Sequence, residues 1–198
     1  MTAPDDHAPL RRTVRTVAAL NLGYFGIEFA VALAIGSVAL FADSVDFLED
    51  ASINILIFAG LGWSAARRAK LGMALAVILL APALATLWTA WHNYSAALVP
   101  APVPLTLTGL GALAFNFTCA TMLAKHRDHG GSLTRAAFLS ARNDVMANIA
   151  IIVAGILTAT TASRWPDLVT GLGIAAMNAD AAHEVYAAAR AEHAQAQP

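Results

Sequence analysis

The chain has 198 residues, 58% of them hydrophobic and 13% charged, with a net charge of −1 and a mean hydropathy of +0.61. A soluble domain carries about 25% charged residues, so this balance excludes an ordinary water-soluble globule, and the lack of any basic cluster excludes a nucleic-acid partner. The single cysteine, Cys119, excludes a disulfide framework and any C-x-x-C metal site.

Residues 1–15 read as a short polar leader on the cytosolic side. Arg11-Arg12 is a twin arginine, but no short apolar core with a cleavable small-residue site follows it, so it does not mark a signal peptide. The first apolar segment runs over about 16–40, interrupted by Asn21 and Glu28, with Gly36-Ser37 as a turn. The second, about 41–64, carries Asp43, Asp46, Glu49 and Asp50 and is followed by Arg67, Arg68 and Lys70. The third, about 71–92, contains Pro82 as a kink and ends in Trp88 and Trp91, which suit an interfacial aromatic belt. A loop over 93–104 holds Pro100, Pro102 and Pro104, and the fourth segment, about 105–124, encloses Asn116. After the charged stretch Lys125-His126-Arg127-Asp128-His129, the fifth covers about 134–160 with Ser140, Arg142, Asn143, Asp144 and Asn148. Pro166 opens the sixth, about 167–188, and an Ala/Gln/Glu tail closes the chain.

Each segment is long enough to cross a hydrocarbon core of about 30 Å. The expectation is an all-α membrane protein: six transmembrane helices within a domain over 16–190, and a short tail over 191–198. Six crossings put both termini on one side, together with Arg11, Arg12, Arg15, Arg67, Arg68, Lys70, Lys125, Arg127, Arg135 and Arg190, against Arg164 on the other. The positive-inside rule makes the first side the cytoplasm, and the expected location is the plasma (inner) membrane.

The chemistry sits in the second and fifth segments. Asp43, Asp46 and Asp50 fall at i, i+3 and i+7 and share one helix face. An isolated ionised side chain costs about 2.5–3.5 kcal/mol at the bilayer centre on insertion scales, so such a face must line a wet cavity, share protons or hold a cation. Asp46 and Asp50 are spaced so that both reach one ion, and Ser140, Asp144 and Asn148 repeat that spacing in the fifth segment, with Asn143 beside them. Packing of these two helices would bring three carboxylates and one or two neutral oxygens together. Crowded carboxylates hold protons as well as cations, and that competition is the basis of an antiporter. The bland reading is that the acids pair with Arg142 and join helices, Glu49 above all. Glu28 and Asn21, at i and i+7, face the same cavity or make helix–helix contacts, and Asn116 reads as structural. His126 and His129 are either a metal-capturing pair at the cytosolic mouth or solvated loop residues. His92 and His183 are interfacial, and Met73, Met122, Met146 and Met177 are packing. No phosphate loop or nucleophile–base arrangement appears, so transport would run on an ion gradient.

Asn21…Glu28…Gly36-Ser37-Val38-Ala39-Leu40-Phe41-Ala42-Asp43, followed by acids four residues apart, resembles the first two helices of the cation diffusion facilitator transporters. The likeness continues through Asn116, Leu139-Ser140-Ala141-Arg142-Asn143-Asp144, Asn148-Ile149-Ala150 and Trp165-Pro166-Asp167, and covers nearly the whole chain. The second-helix block is its most specific part. The resemblance implies a six-helix homodimer that exports divalent metals such as zinc, often against protons, through Asp46, Asp50, Ser140 and Asp144.

Ser140 stands where the family usually has His or Asp, so the site lacks an imidazole, and Asn143 is the neighbouring oxygen that would replace it. All-oxygen sites suit manganese or iron(II), while zinc also accepts carboxylates, and cobalt and cadmium belong to the same class of cargo. The third segment lacks the family's usual polar entry motif. Relatives continue into a small cytosolic α/β domain where this chain stops about ten residues after its sixth segment, so a dimer would form through the membrane helices. The expected partners are therefore divalent metal ions, protons, the bilayer and a second copy, with no resident cofactor and no enzymatic activity. Two rivals are a non-transporting membrane scaffold and an intramembrane hydrolase that uses Asp46 and Asp144 as a dyad.

Overall fold

The fold is described from a computed structural model covering residues 8–60, 84–125 and 131–195, with Lys70 by itself. Side chains at 59, 60 and 131–140, and in 181–195 all but His183, Tyr186, Ala187 and Arg190, lie outside the description. So do the expected kink at Pro82, the arginines at 67 and 68, and most of the third segment.

Six helices make up the described chain: α1 (Ala8–Ile35), α2 (Val38–Gly60), α3 (84–95), α4 (Pro102–Ala124), α5 (Gly131–Thr161) and α6 (Trp165–Gln195). The all-α class expected from hydropathy is the one adopted. The element ends differ from the hydropathy limits for local reasons. α1 starts at Ala8, and Leu10 and Val14 in its first turns are buried, so the helix continues beyond the apolar stretch. α4 begins at Pro102, with Pro at its first helical position, because a residue lacking an N–H fits where no helical acceptor exists. α6 carries on into the alanine-rich tail as far as Gln195, as strong helix formers allow.

α2 is the central helix, packed against α1, α5 and α6, while α1 and α5 both pack on α4. Every residue from Val38 to Phe47 is buried. Outward faces are apolar instead: Leu22 and Ile27 of α1, Leu107 and Phe117 of α4, and Val153 and Ile156 of α5 are exposed. A soluble helix shows the opposite arrangement, polar outside and apolar inside, and this reversal is what a bilayer requires. Among the described residues, Ala8–Ile35, Pro102–Ala124 and Ala141–Thr161 are long and apolar enough to cross a membrane. α2 has the length, 23 residues, but carries four carboxylates that its neighbours enclose.

Two apolar clusters occupy opposite ends of the bundle. One joins Leu10, Val14 and Val17 of α1 to Ile57, Cys119, Leu123 and Ala141. The other joins Ala32 to Leu40, Phe41, Leu105, Ala147, Ile151 and Ile174. Between them in the antiparallel order lie Asn21, Glu28, Asp43, Asp46, Asp50, Asn116, Asp144 and Asn148, all buried. A polar band thus lies between the two apolar clusters, with Tyr24, Phe47 and Ala112 as an apolar patch inside it.

The α1–α2 turn is built with care at the backbone. Gly36 has φ +68°, a left-handed conformation that glycine adopts without penalty, and the Ser37 N–H returns to the Ala32 carbonyl at 3.0 Å, closing α1. Ser37 then caps α2, its hydroxyl accepting the Leu40 N–H at 3.1 Å. The next two orphan N–H groups, of Val38 and Ala39, donate to the Asp167 carboxylate from the first turn of α6 at 2.8 and 3.3 Å, and the Ser37 hydroxyl donates to the same carboxylate at 2.5 Å. Asn93 donates to the Gly36 carbonyl at 2.6 Å, which ties the end of α3 to this corner. Nearby, Tyr94 packs edge-on against Trp165 and under the Arg164 guanidinium.

Gly171 lets the two helix starts approach. A Cβ there would stand 2.6 Å from the Val38 carbonyl carbon and 2.7 Å from the Ala39 nitrogen, both rigid backbone atoms. Gly171→Ala therefore forces α6 off α2, at a cost of about 1–3 kcal/mol, typical of overpacking. The expected result is a lower thermal midpoint in detergent, read by tryptophan fluorescence; an unchanged midpoint would show that the contact is looser than described.

Candidate metal centre

Helix periodicity places Asp43, Asp46 and Asp50 along one face of α2, with Asp43 and Asp50 about 10 Å apart along the axis at 1.5 Å per residue. α5 brings Asp144 and Asn148 to that face, α1 brings Asn21 and Glu28, and α4 brings Asn116 and Cys119. All are buried: Asp46 is 8% exposed, Asp50 4%, Asp144 9% and Asp43 0%.

The polar groups form two layers. In one, Asn21 donates to the Asp50 carboxylate at 3.4 Å, and the Cys119 thiol lies 3.5 Å from the Asn21 side-chain oxygen. Asp144 stands beside Asp50 in this layer, within hydrogen-bonding reach. In the other, Asn116 donates to the Asn148 oxygen at 3.0 Å, and Asn148 donates to Asp43 at 2.6 Å. Glu28 faces Asp43 from α1. Asp46 sits between the layers, in the electric field of Asp144, Asp43, Glu49 and Asp50. Tyr24 packs against Phe47 and Phe115 alongside, its hydroxyl donating to the Thr108 carbonyl at 2.6 Å.

The side chains suggested by spacing fall into three groups. Asp46, Asp50 and Asp144 come to one interior. Asn143 does not: it is exposed, and Arg142 donates to its side-chain oxygen at 3.5 Å. One residue is 100° around a helix, which turns Asn143 away from the face that carries Asp144. The Ser140 side chain, and His126 and His129, lie outside the described residues. Arg142 is itself exposed, so it is not the partner that neutralises Asp46, Glu49 or Asp144. His92 and His183 are exposed as well. Among the described residues, no three His, Cys, Asp or Glu side chains converge closely enough to hold an ion as they stand, so binding would require the carboxylates to draw together.

Spacing could not reveal two participants. Asp167 works across 129 residues of chain as a cap for α2, and only the turn signal of Trp165-Pro166 marked its place. Cys119 reaches the Asp50 layer through Asn21; its position three residues after Asn116, nearly one helical turn, is the signal that could have found it.

The arrangement is a membrane-enclosed, carboxylate-lined interior between four helices. The family model for the cation efflux transmembrane domain matches residues 14–189. The chain belongs to the cation efflux family. No curated protein matches it. As a cation efflux protein it is part of a transporter family, not an enzyme family, and membership agrees with the resemblance carried by Gly36–Asp43 and by the fifth-helix block. Within the cation efflux domain, α1, α2 and α5 supply the acids, Asn21 of α1 and Asn148 of α5 donate to two of them, and Asn116 of α4 holds Asn148.

Proposed function

We propose that this cation efflux protein exports a divalent transition metal from the cytosol in exchange for protons, with Asp46, Asp50 and Asp144 as ligands. One observation carries the reading: two carboxylates of α2 and one of α5, from distant parts of the chain, are buried beside one another with no described basic side chain to neutralise them. Three such acids are tolerable in a bilayer if protons or a metal ion occupy the space between them. Ser140, one turn before Asp144 on the same helix face, is the fourth oxygen in this scheme, since Asn143 points outward.

Oxygen donors alone suit manganese or iron(II), and zinc, cobalt and cadmium remain candidate cargo. Protons and metal compete for the same oxygens, so acidification weakens metal binding and alkalinisation favours it. Metal loads at the cytosolic face, the helices rock, and protons from the far side displace it. The orientation follows from the basic residues: Arg11, Arg12, Arg15 and Lys125 share an end of the bundle, and Arg164 stands at the other. The plasma (inner) membrane is the proposed location, and a second copy is proposed to pack through the membrane helices.

A flux panel in proteoliposomes tests this: zinc, cadmium, cobalt, nickel, manganese and iron(II), with a pH dye on the opposite side. The expected result is uptake of at least one ion with proton movement in the opposite direction. Silence for every ion, from protein shown to be folded and inserted, would favour the scaffold.

A further inference from the structure

The transport scheme leaves Glu28 of α1 and Asp43 and Glu49 of α2 unused, and the first two face each other. Glu28 and Asp43 are both 0% exposed. Neither oxygen of Glu28 has a hydrogen-bond partner, and Asp43 has one oxygen without a partner. Its other oxygen accepts from Asn148, which Asn116 holds in place. An amide oriented in this way presents a donor to Asp43, so the proton Asp43 lacks is on the Glu28 side.

We infer that Glu28 and Asp43 form a proton site separate from the metal ligands, holding one proton between their facing carboxyl groups when no metal is bound and releasing it when a divalent ion arrives. The release part rests on the transport function proposed above; the holding part does not. Two facing carboxylates with no donor between them are a double unbalanced charge in a buried site, and a single shared proton satisfies the facing oxygens of both. The titratable groups within electrostatic reach of the pair are Tyr24 on α1, Asp46 and Asp50 on α2, and Asp144 on α5; α4 presents the neutral Asn116 through Asn148. No described basic side chain faces it. A 2+ ion among Asp46, Asp50 and Asp144 would raise the local potential at Asp43, only one helical turn from Asp46, and drive the proton off. The step balances simply: one O–H bond breaks, the proton leaves to water, and the pair becomes dianionic beside the bound cation.

Infrared difference spectroscopy on the full chain, stripped of metal with chelator at neutral pH and compared in H2O and D2O, reads the proton directly as a neutral-carboxyl carbonyl band. The native-minus-variant difference spectrum is expected to show one such component lost in Glu28→Gln, whose amide supplies the donor in place of the proton, over whatever Asp46, Asp50 and Asp144 contribute to both proteins. Titration of manganese or zinc into weakly buffered protein should release about one proton fewer per metal in Glu28→Gln than in the native chain. Asp43→Asn provides the same comparison if Glu28→Gln fails to fold. Native and variant spectra that coincide in the neutral-carboxyl region for both substitutions, or equal proton release in native and variant protein, would overturn the inference. If no metal of the panel binds, the transport reading falls and the infrared comparison decides the proton site by itself.

Discussion

Proteoliposomes carrying Asp50→Ala are expected to transport metal at less than about a hundredth of the native rate, since even residues that only orient metal ligands cost 10–100-fold when removed. Asp50 is 4% exposed, receives a hydrogen bond from Asn21 and stands beside Asp144. Alanine removes a ligand charge and leaves the Asn21 amide without its acceptor, so part of the effect could be loss of fold. Asp50→Asn separates the two causes. It keeps the volume and an oxygen for Asn21 while removing the charge, and flux should fall as far with the thermal midpoint little changed. Removing one of several crowded carboxylates relieves their mutual repulsion and the desolvation of a charge, so a midpoint that rises is compatible with the scheme. Native flux in Asp50→Ala, at normal expression, would remove Asp50 from the site.

Asp167→Ala should be the most damaging substitution for stability away from the carboxylates. It deletes the acceptor of three hydrogen bonds, from the Ser37 hydroxyl and the Val38 and Ala39 N–H groups. Two backbone donors at the start of α2 would then be buried without partners. Loss of a helix cap costs about 0.5–2 kcal/mol, and hydrogen bonds to a charged acceptor are worth about 1.5–3 kcal/mol each. A loss of about 3 kcal/mol is therefore expected, visible as a lowered midpoint in thermal or denaturant unfolding in detergent micelles. Asp167→Asn retains one acceptor oxygen and should lose about half as much. If both variants unfold like the native protein, the cap contributes nothing and the α2–α6 junction is held by apolar packing alone.

The helical class, the polar face of α2 and the burial of Asp144 and Asn148 were legible in the sequence because each depends on local periodicity. Asp43, Asp46 and Asp50 announce themselves as a stripe in an apolar run, and that pattern survives any packing partner. Contacts between distant segments were not legible in the same way. Asn116 read as a structural residue, and it does join helices, but its partner Asn148 also anchors Asp43, a consequence of which helices are neighbours. Asn143 looked interchangeable with a ligand because adjacency in sequence hides a rotation of 100°. Helix ends were poorly legible for a different reason. Hydropathy senses the bilayer, whereas α1 and α6 are continued by residues that favour helix in water as well as in lipid.

The cap formed by Asp167 also has a mechanical consequence. It fastens the first turn of α2 to the first turn of α6, with Gly171 closing the gap. A rod clamped at one end can swing only at the other. Asp50 lies about 18 Å from Val38 along the axis at 1.5 Å per residue, so a 10° swing about the clamp displaces Asp50 by about 3 Å and Asp43 by less than half of that. The acids of α2 are therefore arranged in order of increasing leverage, with Asp43 close to the pivot and Asp50 far from it. One tilt of this helix would redraw the geometry around Asp50 and Asp144 while leaving the pairing of Asp43 with Asn148 nearly undisturbed.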